Sequence, residues 1–466
     1  MPSRRKHPES APSEREENRL KELASEPAKS LAVLVVTAAM VGLGTGFVAA
    51  GFRKTLDYAD DIRGAVLNWT GDVGWYGIFI AIAVPAILTA AAAGMVRRWE
   101  PIAEGSGIPR VEATVRGDVP PSRVRLLPVK FVGGVAAIGS GLALGREGPS
   151  VHMGGAVATI LGRIFHTNKA DLRLLIAAGA AAGLTTAFSA PLAGAVFVLE
   201  ELVKKFEARM TVAVLTASGG AFVVVHQMLG DQVMFPLPPV EPASLKHAPV
   251  ILITGLLAGA VAVFYNSSLM RLLAIVDTSR IPVELRAAFI GGMVGLVGWF
   301  APDMVGGGDN LTFGALLGHG TLAVAVGILV LRFVLAVGSY LALTPGGLFA
   351  PMLVLGAEIG VIVSLAANYV VPGSAPHPGT LAIMGMAAFF AASVRAPVTG
   401  LVLTAEMTGA VSLLPPLLGI CAASIFVAEF FKAQPIYDAL ADRSARLAER
   451  NERALDQREK SADISV

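Results

Sequence analysis

Gly145-Arg146-Glu147-Gly148-Pro149 is the stretch on which the reading turns. It lies between two strongly apolar runs, residues 136–144 and 150–164. A charge at the centre of a membrane-spanning helix costs about 2.5–3.5 kcal/mol on insertion scales, so a charged side chain there faces a partner or a water-filled path. The flanking glycines leave backbone N–H groups reachable. Proline, with its fixed φ and missing donor, suits a first helical position, so Pro149 is expected to open a helix with Gly148 and Glu147 at its positive end. A helix start inside the bilayer that carries a carboxylate is an anion site with a titratable plug. The plainer alternative is a glutamate paired with Arg146 for structure alone.

Composition sets the class. Of 466 residues 54% are hydrophobic and 15% charged, against about 25% charged in ordinary soluble domains, so the chain is expected to be an all-α polytopic membrane protein. The mean hydropathy is +0.65. The net charge of +2 implies no particular partner, and nothing points to nucleic acid. The single cysteine, Cys421, lies in an apolar run and permits no intrachain disulfide. Residues 1–30 are polar, lack the short apolar core of a cleavable signal, and are expected to be a cytoplasmic segment with a surface helix at 15–29.

Taken in order, residues 31–50 are long enough to span, 57–63 are polar, and 75–95 span again. The basic stretch 97–130 places that side in the cytoplasm by the positive-inside rule. Apolar segments follow at 126–144, 150–164, 172–187, 192–202 and 211–229, completing a first membrane repeat over 31–230. A proline-rich external linker, 231–249, leads to a second repeat over 250–431. Several of its segments are too short to cross, which is tolerated only where protein or a water path covers their ends. A charged tail, 432–466, carries Tyr437 and is expected to be cytoplasmic, like the N-terminus.

The two halves repeat. Gly105-Ser106-Gly107 matches Gly306-Gly307-Gly308, and Lys130-Phe131-Val132 matches Arg332-Phe333-Val334. The opening motif matches Gly347-Leu348-Phe349-Ala350-Pro351, and Ala190-Pro191-Leu192-Ala193-Gly194 matches Ala396-Pro397-Val398-Thr399-Gly400. The offsets stay between 201 and 206 residues. Matching Gly/Pro-broken segments in two halves point to a transport site between them, in a parallel or an inverted arrangement. Glu200 matches Glu406, as expected of architecture. Glu147 matches Phe349 and Glu201 matches Met407, so these two carboxylates break the symmetry and are the candidates for chemistry. The bland reading of Glu201 is a helix-end residue reaching water beside Lys204 and Lys205.

With its Gly-Ser-Gly-Ile-Pro at 105–109, its Gly-Arg-Glu-Gly-Pro at 145–149, its Gly-Leu-Phe-Ala-Pro at 347–351 and Tyr437, the chain resembles the CLC chloride transporters over roughly residues 30–440. The resemblance implies two inverted repeats of tilted, partly broken helices. It implies a homodimer in membrane lipid, each subunit with its own anion path, meeting through the regions 192–229 and 398–431. A tail without paired regulatory domains implies a bacterial inner-membrane protein. It further implies chloride and protons as the transported ions, with Ser106 suiting chloride where proline suits nitrate. An acid at Glu201 favours exchange over the alternative, a passive chloride channel. Glu112 and Lys130 resemble internal polar positions expected to form a buried pair or network.

Chemistry gives the same residues roles. Chloride is weakly basic and can be held by N–H and O–H donors without a full opposing charge, which would bind too tightly for release. Ser106 and Tyr437 supply hydroxyls, Leu348 and Phe349 supply backbone N–H groups, and Arg146 and Gly148 line a neighbouring position that holds either an anion or the Glu147 carboxylate. Glu147 is the expected gate and Glu201 the internal proton acceptor. No metal is expected: His152 has no second ligand at metal spacing and is expected to pack within its helix. Nor is a cofactor implied. An intramembrane serine hydrolase would draw on Ser106 or Ser140, but no Gly-x-Ser-Gly string occurs and no serine has an evident base.

Overall fold

The computed structural model describes residues 28–230, 233–238 and 243–463. The first half comprises α1 (Ala28–Asp72), α2 (Gly77–Trp99), α3 (Ile108–Arg116), α4 (Leu126–Gly139), α5 (Glu147–Ile164), α6 (Lys169–Phe188), α7 (Pro191–Phe197) and α8 (Ala208–Leu229). The second comprises α9 (Ala248–Thr278), α10 (Val283–Phe300), α11 (Asp309–Leu316), α12 (Leu322–Tyr340), α13 (Phe349–Val370), α14 (Pro378–Val394), α15 (Pro397–Thr408) and α16 (Leu414–Phe430). A last helix, α17 (Ile436–Asp463), forms the tail. Among the described residues nine helices are long and apolar enough to cross a membrane.

One expectation changes here. The polar stretch 57–63 does not interrupt the chain, because α1 runs through it to Asp72. No proline falls within α1 to break it, and its charges find partners off the axis. Arg53 donates to Ser189 Oγ at 2.8 Å and Arg63 to the Gly139 carbonyl at 3.1 Å. Of the surface helix expected over 15–29, residues 15–27 lie outside the described residues, and 28–29 are the first of α1.

The halves meet through equivalent residues, and the backbone pairing at their centre is reciprocal. Gly145 N donates to Gly347 O at 2.9 Å and Gly347 N to Gly145 O at 2.7 Å. These two positions correspond in the repeat and pair antiparallel. Such reciprocity is the mark of a two-fold relation between the units, and the fold is that of two inverted repeats. Within each half the same close crossing recurs. A Cβ on Gly154 would strike the backbone of Gly179 and the reverse, and the same holds for Gly356 and Gly385. Small residues let α5 cross α6, and α13 cross α14, backbone to backbone, as membrane helices without a solvent-driven force must.

The linker is more than a connection. Phe235 is buried and stacks on Phe313 with ring centroids 6.2 Å apart, and its N–H donates to Met407 O at 2.9 Å. The tail likewise packs on the membrane portion. Arg443 on α17 bonds Asp277 at the end of α9 through two nitrogens, at 2.8 and 2.7 Å, and Glu104 at 2.9 Å.

Candidate functional site

The paired glycines bring the starts of α5 and α13 face to face. Glu147, wholly buried, crosses that junction: its Oε1 accepts from Phe349 N at 2.6 Å and from Ala350 N at 3.3 Å. These amides belong to the first turn of α13, where no intrahelical acceptor exists. Its Oε2 has no hydrogen-bond partner among the described residues. A Cβ on Gly145 or Gly347 would collide with this carboxylate, so both glycines are required for its seat. Pro149 does not open α5; it stands third, after Glu147 and Gly148. The first-turn N–H groups lack partners anyway, so proline is tolerated there without loss.

Ser106 lies against Gly148, whose Cβ would come within 2.7 Å of Ser106 Cα. At the start of α3 the buried Ser106 accepts from Ile108 N at 3.3 Å, and its own N–H points at the Tyr340 hydroxyl, 3.4 Å away. Tyr437 sits wholly buried in the first turn of α17, its ring 6.1 Å from Phe349 and 6.4 Å from Phe197. Its hydroxyl has no partner among the described residues. Leu348 caps α13 and is buried. Helix starts of α3, α5, α13 and α17 therefore carry Ser106, Glu147 with Gly148, Leu348 with Phe349, and Tyr437. Four positive helix ends around one spot favour an anion without supplying a formal cation.

Arg146 is held by several partners beside Glu147. Its guanidinium is tied to Asp309 at 3.1 Å, to Asp57 at 3.9 Å and to the Ala187 carbonyl at 3.1 Å. It belongs to the charged rim of a cleft, lined also by Asp60 and Gly307, that reaches Glu147. The expected pairing of Glu112 with Lys130 is absent. Lys130 donates to the carbonyls of Ala103 at 2.9 Å and Gly105 at 2.6 Å. Its repeat counterpart Arg332 does the same for Met304, Gly306 and Gly307 at 2.8–3.0 Å. Both cations are fully buried. By taking up the carbonyls of the glycine loops, they hold the N–H ends of α3 and α11 toward the interior.

Glu200 and Glu201 fall in a π-helical turn, Val198–Leu202, that continues α7. Neighbours on a helix diverge, and here they part completely. Glu200 accepts from Val398 N at 3.0 Å and from Thr399 N and Oγ1 at 2.7 Å, capping α15. Its counterpart Glu406 accepts from Leu192 N at 3.1 Å and Ala193 N at 2.7 Å, capping α7. Glu201 turns inward, is 3% exposed, and its Oε1 has no partner among the described residues. Sequence reasoning missed what surrounds it. Lys204, held at φ 54, reaches Asp438 at 2.9 Å and Glu112 at 3.5 Å. It thereby ties the end of the π turn to α3 and to the residue after Tyr437. Only the position of Lys204 three residues past Glu201 hinted at this. His152 is buried within α5 with Nε2 3.5 Å from Ser122 Oγ, and no cluster of metal-ligating residues occurs among the described residues.

A family model described as "Voltage gated chloride channel" matches residues 87–429. The chain belongs to this family. Among curated relatives, the "H(+)/Cl(-) exchange transporter ClcA" of Salmonella paratyphi A is 35% identical over 457 residues, covering 94% of this chain and 95% of that one. The protein of the same name from Vibrio parahaemolyticus is 35% identical over 425 residues, 89% and 90% of the two. Among solved structures, "a slow cyanobacterial Cl-/H+ antiporter" matches with a TM-score of 0.85 at 30% identity, over 90% of this chain and 99% of that one. "A CLC-type fluoride/proton antiporter", 20% identical with a TM-score of 0.75, shares the voltage gated chloride channel fold.

Proposed function

We propose that this chain is an integral membrane transporter that exchanges chloride for protons, with Glu147 as the gate and Glu201 as the internal proton acceptor. One observation carries the reading: the Glu147 carboxylate takes the Phe349 and Ala350 amides, the donors an anion at the start of α13 would use. Ionised, the side chain competes with chloride for that seat. Protonated, it loses the charge that the helix ends hold, and it leaves. The unpartnered Tyr437 hydroxyl and the buried Ser106 hydroxyl are the donors for chloride next to it, with Leu348 and Phe349 offering backbone N–H groups and Gly148 letting Ser106 pack close against α5. Buried polar groups almost always have partners, and chloride supplies one to Tyr437. Arg146 acts at the rim, where it holds the entrance through Asp57 and Asp309.

A passive chloride channel is the alternative. The buried Glu201, its Oε1 without a partner among the described residues, favours exchange, because a channel has no use for a second buried acid. Exposed apolar side chains such as Leu215, Val223, Leu418, Phe426 and Phe430 on α8 and α16 support a homodimer through those helices. The relatives' bacterial sources support the inner membrane, and the basic stretch 97–130 supports cytoplasmic termini and an external linker at 231–249. Proton movement driven by a chloride gradient in liposomes tests the function. Chloride flux without proton movement would leave the channel.

Substitutions at two positions test the anion site. Tyr437→Phe removes one donor and keeps the ring; a hydrogen bond to a charged group is worth about 1.5–3 kcal/mol, so chloride affinity by calorimetry should fall about tenfold or more. Tyr437→Ala should also loosen coupling, since the aromatic barrier goes with the donor. Unchanged binding would move the assignment to Tyr340, whose hydroxyl already touches Ser106 N. Ser106→Pro removes a hydroxyl and an N–H donor together and should shift preference from chloride toward nitrate in exchange assays.

A further inference from the structure

Between the second half of α9 and the exposed part of α17 lies an open cavity of about 200 Å³, lined by Met270, Ala274, Asp277, Arg443, Arg446, Leu447 and Arg450. Its charges are not equivalent. Arg443 is 7% exposed and fully committed to Asp277 and Glu104. Arg446 and Arg450 follow it by three and seven residues, so they share its helix face. Both are exposed, and neither has an ion-pair partner among the described residues. The opposite wall is apolar and belongs to a membrane span: α9 is part of the apolar segment Leu245–Thr278, so Asp277 marks its edge while Ala274 and Met270 lie one and two turns back. Beside them Ile275 is 63% exposed, as on a lipid-facing surface.

We propose that this cavity binds an anionic phospholipid, its phosphate between Arg446 and Arg450 and the start of its acyl chains against Ala274, Met270 and Leu447. The lining selects the occupant. Two free guanidiniums suit a phosphate, and Arg is the side chain best shaped for one. A soluble phosphate would use that end alone and leave the methionine and alanine wall uncovered. A neutral lipid would use the wall and leave the two cations unmatched. An anionic lipid meets both, at the level where a spanning helix ends and basic pockets hold anionic headgroups. The site lies on the same helix as Tyr437 and is joined to the anion path a second time, because Arg443 grips Glu104, the residue before Gly105-Ser106.

The test uses the full chain in bilayers of phosphatidylcholine with rising phosphatidylglycerol, followed by native mass spectrometry of the lipid it retains. The intact protein should retain phosphatidylglycerol saturably. Arg446→Gln with Arg450→Gln should weaken retention about 30-fold, equivalent to about 1 kcal/mol for each arginine. Arg123→Gln with Arg125→Gln, which removes the same charge from another exposed basic stretch, should leave it unchanged. Equal loss in both double variants would reduce the effect to general surface charge and overturn the site. So would absence of retained phosphatidylglycerol in the intact chain. Displacement of the lipid by inorganic phosphate at matching concentration would remove the apolar wall from the argument and overturn the lipid assignment.

Discussion

Glu147→Gln is expected to leave chloride moving and protons standing still. The amide keeps the shape of the side chain and one oxygen for the Phe349 N–H, so folding survives, but it carries no charge and no exchangeable acid proton. Chloride-driven proton flux in liposomes should drop by about 100-fold or more, the lower range of what a positioned proton-transfer group contributes. The pH dependence follows from the same geometry. In the intact chain, lowering the pH raises the protonated fraction of Glu147, frees the Phe349 and Ala350 amides, and should increase chloride flux. In Glu147→Gln the profile should be flat. Proton pumping that persists in this variant would remove Glu147 from the proton path.

Glu201→Gln carries the second large effect, and it separates two adjacent residues. The side chain of Glu201 is buried, inward-facing and bordered by the Lys204, Glu112 and Asp438 cluster, which leads from the π turn toward α3 and α17. Its replacement by glutamine should abolish proton flux while chloride still runs down its gradient. Glu200→Gln should leave proton flux in place and lower stability instead. Glu200 makes three hydrogen bonds to the start of α15, and loss of its charge there should cost about 1–3 kcal/mol of stability with coupling retained. Paired flux and thermal-unfolding measurements on both variants decide it. Intact pumping in Glu201→Gln together with loss in Glu200→Gln would exchange the two roles.

The sequence by itself determined the class, the repeat and the broken helix starts. Apolar run length, glycine flanks and proline placement act through the local backbone, so Gly145 to Pro149 and Gly347 to Pro351 announce helix starts wherever they occur. Comparing the halves already separated Glu147 and Glu201 from Glu200, because a symmetric fold needs its symmetric residues and leaves the others free. Only the tertiary structure decided which partner each charge meets. Lys130 takes the carbonyls of Ala103 and Gly105 instead of Glu112, Arg146 turns to Asp309, and the polar stretch 57–63 stays helical because partners from α4 and α6 serve its neighbourhood. Lys204 meets Asp438 across 234 positions, and Arg443 meets Glu104 across 339. Such pairings carry no local signature. A buried charge takes whichever oppositely polarised group the packing of α3, α9 and α17 brings within reach, and that packing is a property of the whole chain.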